Sequence, residues 1–234
     1  MKETLICIAA SLMMTGGTAG QTGDQLALTC TLLATSPAQS GKVVEPLSAE
    51  ETARLQHAPH VSRRVKEHEL QVGWNGGQRL FKDKPPFDDS MDGLYWVYCG
   101  YNLSLKSHLI GKYGRGDLFT GMLLDDRSGS LLPGATMVLF SPRRDFYLAY
   151  EQPDGQYGED LKLYSSNGTM LWRGYSGFLS ANGTTVLGNF ENLHWDANNT
   201  LIAEIEPIGK RRMSVTLIRR GDSGQWEWVS VASR

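Results

Sequence analysis

One short segment combines residue types that carry out acid–base chemistry. His194 stands beside Trp195 and Asp196, at the predicted end of a strand. A histidine next to a carboxylate can take up and release a proton near neutral pH, because the pKa of imidazole is about 6.5. A structural hydrogen bond next to an aromatic ring is the favoured interpretation of these three residues, and we assign no catalytic residue on this pattern.

The segments that resemble nucleophile motifs do not have the residue spacing that those motifs require. The segment that begins at Gly174 resembles the start of the G-x-S-x-G elbow of hydrolases, but Gly177 directly follows Ser176. Ser176 also lies between predicted hairpins and not before a helix, which indicates a turn residue. Cys99 lies in a strand-like run, and the pattern places no histidine where it would activate the thiol.

Histidines concentrate in one part of the chain, where His57, His60 and His68 lie near two glutamates. Zinc requires three or four ligands at the corners of a tetrahedron, and Pro59 interrupts the helix that would align the first two histidines. Neither an HExxH motif nor a pair of CxxC motifs occurs. The sequence therefore predicts no metal site and no cofactor.

Acidic and aromatic residues cluster at predicted turns. Asp154, Glu159 and Asp160 fall within one loop together with Tyr157, at a spacing that does not fit a calcium loop. A carboxylate pair suits a glycoside hydrolase only at a defined separation. An acidic loop with exposed aromatic residues suits binding to a basic protein surface. The predicted partner-binding residues are Trp74, Asp154, Tyr157, Glu159, Asp160, Tyr175 and Trp195.

The N-terminus has the pattern of a secretory signal. Lys2 is followed by an apolar run from Thr4 to Met14 and then by small residues up to Gly20. The apolar run is too short to cross a membrane. We predict that residues 1–20 are a signal peptide that exports the protein to the periplasm.

Removal of this signal would leave an even number of cysteines. Cys7 lies within it, whereas Cys30 and Cys99 remain. An even count in an exported protein favours one disulfide, with two unpaired buried thiols as the alternative. Attachment of a lipid at Cys30 is disfavoured, because Leu28 and Thr29 do not provide the small residue that usually precedes a lipidated cysteine.

The rest of the chain divides into two parts. Residues 21–60 are polar and contain one helical segment, Ser48–His57, with Glu51 in the position of a capping box and Pro59 after the helix end. In residues 61–234, short apolar runs alternate with turn signals. This rhythm predicts a single β-rich domain built from antiparallel hairpins.

Glycine-containing turns define the hairpins of this domain. The Asn-Gly pairs at Asn167 and Asn182 predict tight primed turns. The stretch Leu163–Trp172 resembles one hairpin of a propeller blade with D-x-x-x-G-x-x-x-W repeats. The chain is short for a complete propeller of four-stranded blades. The sequence predicts a mainly β fold, an antiparallel meander of hairpins in a propeller-like or sandwich arrangement, with one short N-terminal helix.

Composition and charge disfavour several classes of partner. The 234 residues include 23 basic and 25 acidic side chains, and 41% are hydrophobic. A chain of this size can bury a substantial core in one domain. The formal net charge of −2 gives no reason to expect nucleic acid or an anionic membrane surface as the partner.

Two segments resemble a known family. The charged run Pro59–Leu70 and the later segment Tyr98–Tyr101, which contains a Cys-Gly pair, are similar to the opening of periplasmic immunity proteins of Gram-negative type VI secretion systems that act against lipase effectors. The resemblance covers a small part of the chain. Members of that family are commonly lipoproteins, and this sequence lacks their lipidation signal.

The resemblance implies a periplasmic protein that binds a secreted toxic enzyme, such as a phospholipase, and neutralises it by complex formation without enzymatic activity of its own. Two other interpretations stay open. A glycan-acting hydrolase would gather carboxylates or His194 in one pocket with shifted pKa values. A structural β-protein of the envelope would expose sheet edges for strand addition.

Overall fold

The computed structural model describes residues 26–30, 48–85, 93–114, 118–151, 160–175, 177–179, 185–207, 211–219 and 225–231. The predicted signal peptide and the Asn182 turn lie outside these residues. The described part of the chain contains one helix and seventeen strands, which confirms the prediction of a mainly β fold with one short helix. The elements are β1 (Ala27–Thr29), α1 (Ser48–Gln56), β2 (Arg63–Lys66), β3 (Glu69–Trp74), β4 (Gly77–Lys82), β5 (Tyr95–Asn102), β6 (Ser107–Gly114), β7 (Leu118–Asp125), β8 (Leu131–Gly134), β9 (Met137–Phe140), β10 (Phe146–Glu151), β11 (Asp160–Ser165), β12 (Met170–Tyr175), β13 (Gly177–Leu179), β14 (Thr185–Trp195), β15 (Leu201–Pro207), β16 (Met213–Arg219) and β17 (Trp226–Ser230).

The strands form four antiparallel sheets. The first sheet has the order β2-β3-β4, the second β5-β6-β7-β8, the third β1-β9-β10-β11-β12 and the fourth β13-β14-β15-β16-β17. Neighbouring strands follow one another along the chain, except that β1 pairs with β9. The predicted meander of hairpins is therefore confirmed.

The four sheets stack face to face with a hydrophobic layer between each neighbouring pair. Adjacent residues of one strand enter different layers: Leu109 of β6 packs between the second and third sheets, and Ile110 packs between the first and second. On β10, Tyr147 faces the second sheet and Leu148 faces the fourth. Both inner sheets are thus buried on two faces, as consecutive propeller blades are.

The hairpin turns at one end of the stack share one construction. In the β11–β12 turn, Gly168 has a φ of +84°, its N–H donates to the carbonyl of Ser165 at 2.9 Å, and the φ of Asn167 is not positive. Both primed turn types need a positive φ at the first central residue, which would be Asn167 here. The prediction of a primed turn at Asn167 is therefore wrong: only the residue after the turn is left-handed. Equivalent left-handed residues are Lys106, Gly129, Arg144 and Asn199.

These turns contact one another and define what we call the turn end of the stack, formed by residues 103–106, 126–130, 141–145, 166–169 and 196–200. The N–H of Asp126 donates to the carbonyl of Lys106 at 2.8 Å. The N–H of Arg143 donates to Oδ1 of Asn199 at 3.1 Å, linking the third sheet to the fourth. These hydrogen bonds join neighbouring turns at one end of the stack.

A disulfide joins Cys30, which follows β1, to Cys99 of β5. It connects the second and third sheets, and its Cα atoms are 4.8 Å apart. Cys99 is the extra residue of a β-bulge, because Tyr98 pairs with Ile110 and Gly100 with Leu109. A β-bulge changes the direction in which a side chain points from its strand. The predicted Cys30–Cys99 disulfide is confirmed.

Within the described residues, no helix has the length and apolar character needed to cross a membrane.

Candidate functional site

Two of the predicted partner-binding residues, Asp160 and Tyr175, lie at the end of the third sheet opposite the turn end. Asp160 begins β11 and pairs with Glu151 of β10 on one side and with Tyr175 of β12 on the other. The connection 152–159 joins Glu151 to Asp160. The three predicted residues within that connection, Asp154, Tyr157 and Glu159, lie outside the described residues.

An ion-pair cluster surrounds Asp160. Arg173 of β12 binds its carboxylate with two bonds, Nε to Oδ1 and Nη2 to Oδ2, each 3.0 Å long. The ammonium of Lys162 lies 3.0 Å from Oδ2 of Asp160 and also contacts Glu151. Lys162 pairs with Arg173 across the strands. The two-residue period of β11 therefore places Asp160 and Lys162 on one face, together with their partners. We call Glu151, Asp160, Lys162 and Arg173 the Asp160 cluster.

The cluster holds its carboxylate in the ionised form. Burial alone raises the pKa of Asp160, but hydrogen bonds from Arg173 and Lys162 outweigh it and lower that pKa below its usual range. Burial lowers the pKa of Lys162, and hydrogen bonds to Glu151 and Asp160 reverse that effect and raise it. An ionised, doubly paired carboxylate is unsuited to act as a general acid near neutral pH.

The Asp160 cluster combines buried carboxylates with an exposed guanidinium. The side chain of Asp160 is 12% exposed, whereas that of Arg173 is 61% exposed. Oε2 of Glu151 is buried and has no hydrogen-bond partner among the described residues. A fixed, outward-facing guanidinium above buried acceptors is an arrangement that recognises polar groups of a protein surface.

The two predicted tryptophans lie elsewhere. Trp74 ends β3, is half-buried against the layer between the first and second sheets, and its ring lies against Gly129 in the β7–β8 turn. Trp195 packs on the layer between the third and fourth sheets, and its indole N–H donates to the carbonyl of Leu139 at 3.1 Å. Both are near the turn end, so the structure does not bring them together with Asp160.

The residues around His194 make local contacts. Nδ1 of His194 lies 2.5 Å from the carbonyl oxygen of Asn192, where β14 carries a bulge. Oδ1 of Asp196 accepts the N–H groups of Asn198 at 2.9 Å and Thr200 at 2.8 Å. Asp196 therefore shapes its own turn, which is the structural role favoured for it from the sequence.

A second polar cluster, which the sequence analysis missed, centres on Asp126 beside the turn end. Its Oδ1 lies 2.8 Å from Nε2 of His60 and 3.6 Å from Nε2 of His108, and its Oδ2 accepts the hydroxyl of Tyr101 at 3.1 Å. The hydroxyl of Tyr98 is 3.0 Å from Nδ1 of His108. These residues come from separate segments, so no local spacing predicts their meeting.

The buried His108 is expected to make stability depend on pH. Burial lowers its pKa to about 4, although Asp126 opposes the effect. In the unfolded chain the imidazole titrates at about 6.5, so between these values only the unfolded chain binds the proton. Stability is therefore lost as the pH falls from about 6.5 to about 4, by up to about 3 kcal/mol.

Urea unfolding of the wild type and of the variant His108→Gln at a series of pH values measures this contribution. The free energy of unfolding of the variant should depend less on pH between about 6.5 and about 4, because the contribution of His108 is absent. The matched variant His57→Gln makes the same change at an exposed residue that directly follows α1, and it should keep the wild-type slope. Equal slopes for wild type and His108→Gln would show that His108 is not the source.

No group of three or more His, Cys, Asp or Glu side chains within the described ranges is arranged to hold a metal ion. Comparisons of the chain with protein-family models, curated proteins and solved structures gave no match.

Proposed function

We propose that the protein is an exported binding protein that neutralises a secreted toxic effector enzyme by forming a complex with it in the periplasm. The observation that carries this proposal is the position of Asp160. It pairs directly with Tyr175 across β11 and β12. Two of the predicted contact residues are therefore neighbours at one end of the third sheet, beside the exposed guanidinium of Arg173.

The scaffold and the charges around Asp160 support a binding role. Three strands of the third sheet fix the cluster, and that sheet packs between the second and the fourth. A preorganised surface loses little side-chain freedom when a partner binds, which favours affinity. Arg173 combines exposure with a fixed orientation, and arginine is enriched among the residues that dominate binding energy at interfaces. The Cys30–Cys99 disulfide fits an oxidising compartment such as the periplasm.

The resemblance noted for Pro59–Leu70 and Tyr98–Tyr101 suggests the class of partner, a phospholipase delivered by a type VI secretion system. The test starts with the full chain and each secreted enzyme encoded beside its gene. We expect one of these enzymes to co-purify in a stoichiometric complex and to lose its activity on mixing. The failure of every neighbouring enzyme to bind would overturn the proposal.

The place of the Asp160 cluster in this complex is tested with one variant and a matched control. Arg173→Ala should raise the Kd of the complex by at least about tenfold, because an interface arginine of this kind contributes about 2 kcal/mol or more. Arg143→Ala removes an equally charged, exposed side chain at the turn end and should leave the Kd unchanged. If both variants bind the effector with equal affinity and still neutralise it, the interface does not include the Asp160 cluster.

A further inference from the structure

The two outermost faces of the stack differ from the inner ones. The first and fourth sheets each turn one face toward a hydrophobic layer, formed by residues such as Leu70 and Val72 in the first sheet and Ala203 and Ile205 in the fourth. Because side chains alternate along a strand, the residues between these point to the other face. Within the described part of the chain, no further sheet packs on either outer face.

The outer face of the fourth sheet is acidic. Glu191, Glu204 and Glu206 surround one guanidinium, that of Arg212, at distances of 2.6, 3.3 and 3.4 Å between nitrogen and oxygen. The exposed fractions of the three glutamate side chains are 40%, 35% and 56%. Glu191 and Glu204 are direct cross-strand partners, an arrangement of like charges that costs stability on its own. We call this surface the acidic face.

A row of half-buried side chains lies beside these charges. Ile202, Thr216 and Val229 are cross-strand neighbours on β15, β16 and β17, and the first and last are apolar. The corresponding positions in the two inner sheets, such as Leu124 and Leu139, are almost completely covered by the next sheet. Among the described residues, no further sheet covers this row.

The outer face of the first sheet has the opposite charge pattern. Lys66 and Lys82 flank one carboxylate, that of Glu69, at 3.5 and 3.8 Å. Arg63 lies on the same face, because it pairs with Gln71 and Gln71 alternates with the buried Leu70. Leu80, the other cross-strand neighbour of Gln71, is 44% exposed. We call Arg63, Lys66, Glu69, Leu80 and Lys82 the basic face.

We propose that copies of this chain associate head to tail, with the basic face of one copy on the acidic face of the next. A face with three cations and one carboxylate would meet a face with three carboxylates and one cation, and Leu80 would lie toward Ile202 and Val229. The contact would extend the existing stack, because two sheets would again pack face to face. Such a contact is heterologous, since two different surfaces of the chain take part.

The opposite charges of the two faces favour a second copy over another partner, because one molecule carries both halves of the complementary pair. Complementary potentials steer association and suppress other pairings. This association is separate from the proposed binding of an effector at the Asp160 cluster. It is therefore tested without an effector present, so that failure of one proposal leaves the other intact.

The experiment measures the mass of the full chain by sedimentation over a range of concentrations, at low and at high ionic strength. We expect association that increases with concentration and weakens in salt, because the contact is charged. Glu206→Lys and Lys82→Glu should each raise the Kd for self-association by at least about tenfold. A mixture of the two variants should associate again, since the unchanged basic face of the Glu206→Lys copy can meet the unchanged acidic face of the Lys82→Glu copy.

Glu50→Lys is the matched control, because it makes the same charge change on the exposed surface of α1 and should associate like the wild type. Circular dichroism establishes that each variant is folded. A chain that stays monomeric at every concentration would overturn the proposal. So would a self-association that neither charge reversal weakens, or one that the mixed variants fail to restore.

Discussion

Replacing Arg64 with methionine is expected to lower the free energy of unfolding by about 3–5 kcal/mol, the usual cost of removing one partner from a buried ion pair. The Arg64 guanidinium lies between two carboxylates. Its Nε is 3.1 Å from Oε2 of Glu51, and its Nη1 is 2.8 Å from Oδ2 of Asp83. The side chains of both acids are almost fully buried, so methionine would leave two negative charges without their counterion.

These side chains have a structural task, which is to cover the free edge of β5. That strand lies at the edge of the second sheet, where its outward N–H and C=O groups lack a strand partner. Glu51 accepts the N–H of Tyr98 at 2.7 Å, and Asp83 accepts the N–H of Trp96 at 2.8 Å. Arg64 donates to the carbonyl of Trp96. Loss of Arg64 would therefore also disturb this edge.

The pKa of Asp83 depends on these same contacts with Arg64 and Trp96. Burial raises it, while the N–H of Trp96 and the charge of Arg64 lower it, and the net shift is upward. Without Arg64, the pKa of Asp83 should rise further, and the fold should be stabilised relative to neutral pH as that carboxyl takes up a proton. The difference in stability between the variant and the wild type should therefore become smaller under mild acid, which would not happen for a variant with a simple packing defect.

Urea unfolding of Arg64→Met and Arg63→Met separates the buried pair from a general loss of charge. The two arginines are neighbours on β2, but Arg63 is exposed on the outer face. Arg63→Met should change the free energy of unfolding by no more than about 0.5 kcal/mol. Equal unfolding of the two variants would contradict the role given to Arg64.

Much of the fold follows from local sequence signals. Turn residues at short intervals predict the hairpins, and short apolar runs between them predict the strands. The sequence predicts a propeller-like or sandwich arrangement, but not which sheet packs on which. A strand such as β10, with Tyr147, Leu148 and Ala149 all buried, reads as a continuous apolar run, and such a run does not tell which sheet covers each face.

The candidate site was only partly predictable for a related reason. Acidic and aromatic residues near turns marked Asp160 and Tyr175, but Lys162 and Arg173 were missed because an ion pair across strands depends on register. The alternation from Asp160 to Lys162 was the available signal, since it puts both charges on one face. The Asp126 cluster gave no such signal, because His108 and Asp126 meet through the register of β6 and β7, and His60 reaches Asp126 from the segment before β2.

Glu51 shows how tertiary structure overrides a local rule. Its position three residues after Ser48 predicts a capping box for α1. In the structure both of its carboxylate oxygens have partners outside the helix, namely Arg64 and the N–H of Tyr98. Leaving a buried N–H of β5 or a buried guanidinium unpaired costs about 1–3 kcal/mol. Glu51 therefore pairs with these groups and not with the solvent-exposed end of α1.

The disulfide is the second feature expected to have a large effect, and it acts at the same strand. Cys99 is the bulged residue of β5, its carbonyl accepts Nη1 of Arg54 at 2.6 Å, and its sulfur is bonded to Cys30. The N–H of Cys30 donates to the carbonyl of Thr136 at 2.7 Å. β5 is thus held to α1 on one side and, through Cys30, to the third sheet on the other.

Removing the disulfide with the double variant Cys30→Ala, Cys99→Ala should lower the free energy of unfolding by about 4 kcal/mol. The two cysteines are separated by 69 positions, and freeing a loop of that length gives the unfolded chain about this much conformational freedom. The measurement is urea unfolding of both proteins with and without a thiol reductant. The reductant should destabilise the wild type to nearly the level of the double variant and leave the double variant unchanged. A double variant as stable as the oxidised wild type would mean that the packing of the second sheet on the third, and not the covalent bond, holds β5 in place.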